Sequence, residues 1–294
     1  MNEVLLLVDG HAYAYRAFYA IREMHAPDGA ATNAIFGFIK MFDRAVAAVK
    51  PTHLAVLWDG GLDEDRMQAL PGYKAQRPEM PDELEAQLDK IVAYLDASGV
   101  HSICVDGVEA DDLIASVAWR ANGQGWSTVI ATSDKDFMQL VSPRLRILNP
   151  GDKGQPIWDE EKVLEKTGVR PDQIVDWLSL MGDNVDNIQG VRGVGPKTAT
   201  RLLREYGSVE HLYERLGDVG PERLRSSLAE ARDLVLRNRA LVVLKTQVAE
   251  APELIECEPG EPDTARLKQL CESWGFRSMA QKYLSDPLGP EFAF

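Results

Sequence analysis

The sequence predicts an α/β protein with a central, mostly parallel, twisted sheet flanked by helices and followed by a helical region. Three observations carry this. Apolar runs of strand length recur at Val4–Val8, Leu54–Trp58, Ser102–Val105 and Thr128–Ala131. Between them lie helix-length segments with helical spacing of apolar residues, and such βαβ alternation gives parallel strands covered on both faces. From about Trp158 onward the strand-like runs fade and short helical segments punctuated by Gly and Pro take over. There is no internal repeat, coiled coil or low-complexity tract.

The opening MNEVLLLVDG reads as the first strand. Its apolar run is far too short to span a bilayer and leads straight into Asp9, unlike a signal peptide. Asn33–Val49 places Ile35, Phe38, Ile39, Phe42 and Val46 on one helical stripe, and Pro51 stops the helix soon after. Pro81–Ser98 repeats the pattern with Leu84, Leu88, Ile91, Val92 and Leu95, then meets Gly99. Leu62–Pro81 breaks the rhythm, being polar, mixed in charge and without a core stripe. It exceeds an ordinary βα connection, and long ordered loops are disproportionately functional.

With 294 residues, 45% of them hydrophobic, the chain can build a full core. Cys104, Cys257 and Cys271 are odd in number and lack CxxC spacing, which suggests neither a disulfide framework nor a zinc site and fits a reducing cytoplasm. A net charge of −14 argues against a generally basic nucleic-acid surface. That objection weakens if many acids are metal ligands, since two divalent ions would offset about four of those charges locally. Where the charges sit then matters more than their sum.

The acids fall at the ends of strands. Asp9 closes the first and Asp59 the second, so both emerge at the carboxyl edge of a parallel sheet, where α/β folds bind ligands. After the third strand, in GVEADDLIASVA, Glu109 and Asp112 share a face of a helix's first turn, with Asp111 beside them. After the fourth, Asp134 and Asp136 flank Lys135. Any one of these is best explained as a helix cap. As a group they are not, because like charges roughly 4 Å apart repel by roughly 4 kcal/mol at an effective dielectric near 20. A cation among them is expected, and all-oxygen ligation selects Mg²⁺ or Mn²⁺. Asp183 and Asp186, spaced to share a helix turn, form a further pair.

That pair directly precedes a glycine-rich hairpin, GVRGVGPKTA. Pro196 suits a helix's first position, leaving the amides of the turn free to face an anion. Arg192, Lys197, Arg201 and Arg204 make a local basic patch around Gly193, Gly195 and Thr198. Such a hairpin grips phosphates without reading bases; the alternative is an ordinary turn between packed helices.

The spaced acids together with GVRGVGPKTA resemble the 5′ nuclease (flap endonuclease) superfamily, with most similarity to the N-terminal 5′–3′ exonuclease domain of bacterial DNA polymerase I. The resemblance runs from VDGHAYAYRAF to WGFRSMAQKYL. It implies a catalytic core over residues 1–157, including a helical arch at about 62–98, and a helical DNA-binding region over 158–294 with its helix-hairpin-helix at about 183–206. It also implies Mg²⁺-dependent, two-metal hydrolysis of DNA at 5′ ends, flaps or nicks, leaving a 5′-phosphate. Asp9, Asp59, Glu109, Asp111 and Asp134 would form one metal site and Asp136, Asp183 and Asp186 the other. Asp134 would lie close to both, with Asp112 supporting through water. Arg16, Tyr73, Lys74 and Arg77 match substrate-handling positions, Lys74 and Arg77 beside the phosphate and Tyr73 stacking on an unpaired base. A monovalent cation at the hairpin, a DNA polymerase partner, a monomer and a cytoplasmic, nucleoid-associated location complete the expectation.

One departure is visible: the family's phenylalanine-arginine pair is replaced by Asp65-Arg66-Met67. No polymerase follows, so a free-standing enzyme or an excised domain is expected. His11, His25, His53, His101 and His211 show no recurring spacing with the acids and are expected to be structural or at the surface. Two rivals remain: a PIN-type ribonuclease, which normally lacks the hairpin and the Asp183/Asp186 pair, and a non-catalytic protein that binds branched DNA. A Rossmann-type cofactor enzyme is set aside because DGHAYA contains no GxGxxG.

Overall fold

A computed structural model describes residues 3–285. Six strands, β1 (Val4–Asp9), β2 (His53–Trp58), β3 (His101–Cys104), β4 (Ser127–Ala131), β5 (Leu145–Leu148) and β6 (Ile157–Trp158), form one sheet. Their order is β3-β2-β1-β4-β5-β6. All pairings are parallel except that of β6 with β5. The first four strands match the apolar runs of the sequence. The last two escaped it because β5 has only four residues, with Arg146 pointing to solvent, and β6 has only two.

The sheet is buried on both faces, so its central strands are apolar throughout instead of alternating. Leu5, Leu7, Ala55, Leu57 and Ile130 face one core, and Leu6, Val8, Leu54, Val56 and Val129 face the other. Helices α1 (Gly10–Ala20), α2 (Asn33–Val49), α3 (Glu64–Ala69), α4 (Asp82–Ala97) and α5 (Ala110–Gly123) complete the first half. α2 has the expected bounds and buries its expected stripe apart from the margin at Val46, where a little surface remains. In α4, Leu84, Ile91 and Leu95 are buried, but Val92 is 36% exposed because it lies off the stripe they follow. α4 packs on α2 and on the helix Thr264–Ser273. It is therefore a layer of the core, so an arch within 62–98 would have to come from α3 and the turns leading to Pro81.

The second half is helical. Ile174–Met181 leads into a two-stranded ribbon, Gly182–Asp183 with Ile188–Gln189, and then through the glycine loop to the helix Pro196–Tyr206. Asp183 and Asp186 thus sit in a strand and a tight turn, not on a shared helical turn as their spacing suggested. No described helix is long and apolar enough to cross a membrane.

Candidate active site

The carboxyl edge of the sheet gathers the acids because the chain leaves each strand there. Asp9 caps α1, its Oδ1 accepting from the Ala12 N–H at 3.0 Å while Oδ2 accepts from the Thr132 hydroxyl at 2.8 Å. Asp59 Oδ1 accepts from the Ala110 N–H at 2.8 Å, tying the end of β2 to the start of α5. Gly60 makes this possible: a Cβ there would stand 1.9 Å from the Val105 carbonyl oxygen, so only glycine lets the two loops meet. Asp134 accepts the Asp136 N–H at 2.8 Å and donates its own N–H to Thr132 Oγ1 at 3.0 Å. Asp9, Asp59, Asp111 and Asp134 line one cleft of about 470 Å³, together with His11, Tyr15, Lys74 and Arg77.

A second group adjoins them. Asp136, Asp183 and Asp186 bring carboxylate oxygens within 4.8 Å of one another. Lys135 Nζ lies 2.6 Å from Asp183, and Arg77 donates to Asp186 Oδ1 from Nη2 at 2.6 Å and Nε at 3.2 Å. Asp136 Oδ1 is buried without a hydrogen-bond partner. An orphaned buried acceptor among all-oxygen donors is what a hard divalent cation fits.

Electrostatics joins the two groups. Burial, reinforced by the charges of Asp59 and Asp134, pushes Asp9 up to about 7 against the hydrogen bonds from Ala12 and Thr132. Burial and then the Asp134 charge hold Asp111 and Asp136 well above the usual carboxylate range. Asp134 is itself raised by burial, and Asp186 and Asp183 add to the shift. A carboxyl group that binds its proton more tightly folded than unfolded stabilises the fold at low pH and ceases to as pH rises through its folded pKa. Without divalent ions, the melting temperature should therefore fall as pH rises from 5 to about 7. Added Mg²⁺ should raise it most at pH 8 and little at pH 5. Differential scanning fluorimetry with and without EDTA checks this; a Mg²⁺ shift that does not depend on pH would mean the ion binds elsewhere.

Glu109 and Asp112 do share a face, and there they meet an arginine. Arg66, only 4% exposed, donates from Nη1 to Glu109 Oε2 at 2.6 Å and to Asp112 Oδ2 at 2.8 Å. Its Nη2 donates to Asp112 Oδ1 at 2.9 Å, and Nε and Nη2 reach the carbonyls of Leu241 and Val243. The Lys245 N–H adds a further bond to Asp112. Both acids thus meet a guanidinium in this structure. Arg66 was missed as a functional residue because an arginine in a polar segment carries no sequence mark of burial.

Tyr73 is also placed differently: it is 5% exposed and its hydroxyl lies 3.2 Å from Glu109 Oε2, so its ring is packed in the core and not offered to a base. Lys74 is next to it with a left-handed φ of 55°, its Nζ 3.0 Å from Glu109 Oε1. Burial works against the Lys74 charge, but the carboxylates of Asp111 and Glu109 outweigh it and raise the pKa. A lysine held charged in a strained backbone beside the cleft has the marks of a functional residue. Arg16 is turned toward the loop after β5, where its Nη1 lies 3.1 Å from the position a Cβ on Gly151 would take.

His11 is the second residue the sequence hid. Burial lowers its pKa despite the nearby Asp59 charge. Its Nδ1 accepts the Asp59 N–H at 3.2 Å, which leaves the proton of the neutral ring on Nε2. Its signal was position, two residues after Asp9, and not spacing among histidines.

At the hairpin, Gly193 takes φ 81°, a left-handed turn that a side chain would strain, and Gly195 precedes Pro196 at the helix start. Arg192, Lys197, Arg201 and Arg204 are exposed around it. Residues 4–168 match the 5′-3′ exonuclease, N-terminal resolvase-like domain, and residues 169–265 match the 5′-3′ exonuclease, C-terminal SAM fold. The chain belongs to the 5′–3′ exonuclease family. Members of this family hydrolyse DNA. The exonuclease is 34% identical over 280 residues to a 5′-3′ exonuclease of Aquifex aeolicus, with 95% of each chain covered. It is 36% identical over 282 residues to the thermostable DNA polymerase I of Thermus thermophilus, covering 95% of this chain and 33% of that one. The exonuclease chain thus spans about a third of the length of the polymerases it matches. Its fold is that of T5 5′-exonuclease bound to zinc (TM-score 0.70, 23% identity, 92% and 99% of the chains). The catalytic core of Rad2 bound to a DNA substrate shares it as well (TM-score 0.65, 16% identity, 98% and 93%). The two matched regions of the exonuclease meet between residues 168 and 169, after β6 and the helix Glu160–Thr167.

Proposed function

We propose that this exonuclease cuts DNA at 5′ ends and at 5′ flaps, with two Mg²⁺ ions, for which Mn²⁺ can substitute. Asp9, Asp59, Asp111 and Asp134 would hold one and Asp136, Asp183 and Asp186 the other, with Asp134 close to both groups. The observation that carries this is the convergence of Asp9, Asp59, Asp111 and Asp134 on one cleft that Lys74 and Arg77 also enter, with Asp134 bonded to the Asp136 N–H and so joined to the group of Asp136, Asp183 and Asp186. Bound there, the ions supply Lewis-acid stabilisation of phosphoryl charge and lower the pKa of the attacking water.

The chain's own residues do the rest. Lys74 and Arg77, held near Glu109 and Asp186, present positive charge to the non-bridging oxygens of the scissile phosphate. His11 offers its Nε2–H as a neutral donor in the same cleft. The hairpin's amides and cations hold the downstream duplex, which sets the phosphate's distance from the acids. The polymerase relatives support a partner that displaces a strand and so creates the flap. Every acid of the site comes from one chain, which supports action as a monomer.

Cleavage of a 5′-labelled DNA flap, a nicked duplex, a single strand and an RNA flap, each with and without Mg²⁺, tests this reading. The DNA flap and nick should be cut, only with the ion, leaving 5′-phosphates. Preference for the RNA flap, or cutting in EDTA, would overturn it. Lys74→Ala should lower turnover by about a hundredfold while duplex affinity stays within about twofold. Equal losses in both would remove Lys74 from the transition state.

A further inference from the structure

Beside the hairpin lies a second cleft, about 630 Å³, between its turn and the helix Glu222–Glu230. Arg192, Arg201 and Arg223 surround it, with the hydroxyl-bearing Thr198 and Ser227 in its lining. In a chain of net charge −14, three guanidiniums at one cleft call for a counter-charge. Of the nearby cations, Arg225 pairs with Glu222, Arg215 with Asp218 and Arg239 with Glu210. Arg201 reaches Glu205 at 3.3 Å. Arg192 and Arg223 are exposed and make no ion pair among the described residues. Two guanidiniums without an ion pair, one from the hairpin turn and one from the following helix, with the hydroxyls of Thr198 and Ser227 in the same lining, suit a tetrahedral anion.

We propose that this cleft is a second phosphate site, formed jointly by the hairpin turn and the following helix, that takes a backbone phosphodiester of the downstream duplex. It rests on the reading of the hairpin as a duplex grip and deepens it. The cleft runs from the hairpin turn and the first half of the helix Pro196–Tyr206 to the helix Glu222–Glu230, so a phosphate held there would add a contact from a second helix to those of the hairpin. Arg223 and Ser227 come from a segment that the glycine motif does not include. The site carries no base-reading group, so it adds to affinity and to the required duplex length without adding sequence preference.

The test is equilibrium binding of a 5′-flap DNA across a salt series, in Ca²⁺, for the intact chain, Arg223→Ala, Arg223→Ala/Ser227→Ala and Lys197→Ala. Each lost phosphate contact should reduce the slope of log K against log salt by about 0.9. Arg223→Ala should therefore flatten the slope by about one contact, leave turnover at saturating flap and Mg²⁺ unchanged, and leave single-strand binding unchanged. Its defect should vanish as the downstream duplex is trimmed base pair by base pair. An unchanged slope for Arg223→Ala with a flattened one for Lys197→Ala overturns the second site and spares the hairpin. Unchanged slopes for both overturn the hairpin reading and this site with it. A flattened slope that persists on single strands, or that inorganic phosphate alone reproduces in competition without any dependence on duplex length, also overturns it.

Discussion

Asp134→Asn should lower cleavage of a 5′ flap at saturating Mg²⁺ by about a thousandfold while leaving the fold and the grip on duplex DNA in place. The size follows from its position between both acid groups: its charge acts on Asp9 and Asp111 on one side and is felt with Asp183 and Asp186 on the other. Removing it weakens both ion sites at once. The amide keeps an oxygen for the Asp136 N–H, and the backbone bond to Thr132 is untouched, so local geometry survives. Repulsion among the remaining acids falls, so the metal-free variant should melt higher than the parent at pH 8. Single-turnover cleavage and metal-free thermal melts measure the two effects. Near-parental cleavage would end the two-ion reading, and a lower metal-free melting temperature would mean that Asp134 is structural.

Arg66→Ala should cost about 3–5 kcal/mol of stability, the loss typical of stripping the partner from buried charges. Glu109 and Asp112 would be left almost wholly buried without their guanidinium, and the carbonyls of Leu241 and Val243 would lose a donor. Arg66→Lys should recover only part, because an ammonium cannot span two carboxylates and two carbonyls with a planar fork. Adding Glu109→Gln and Asp112→Asn to Arg66→Ala should restore more, since neutral amides are less costly to bury. Urea denaturation resolves these differences. A loss below about 1 kcal/mol for Arg66→Ala would show that the pair is hydrated and that α3 is held by other contacts.

How much of this was legible in the chain depends on what kind of constraint a residue obeys. The four long strands and α2 were readable because burial on two faces or on one stripe leaves a periodic mark. The Asp9, Asp59, Asp111, Asp134 and Asp136 positions were readable because strand ends are regular places. The partner of Glu109 and Asp112 was hidden because sequence spacing reports a shared face but not what that face meets, and Arg66 arrives there from a non-local segment. Tyr73 misled for the same reason. Asp183 and Asp186 were read as helical because a separation of three suits a helix, whereas the turn that holds them is fixed by pairing of Gly182–Asp183 with Ile188–Gln189. The departure at Asp65 is answered by Lys245, whose Nζ reaches Asp65 at 2.8 Å and also meets Asp63, a compensation far away in sequence.

The short turn after Asp183 has a mechanical consequence. Lys74 donates its backbone N–H to the Asp186 carbonyl at 3.0 Å, and Asn187 Nδ2 donates to the Gly72 carbonyl at 2.7 Å. Arg77 is bonded to the Asp186 carboxylate. The two cations and the acid are therefore parts of one rigid plate, stapled by main-chain and side-chain bonds. Asp9 and Asp59, by contrast, stand on the ends of β1 and β2. The site is therefore built like a pair of calliper jaws, one standing on β1 and β2 and the other on the segment that leads into the glycine loop.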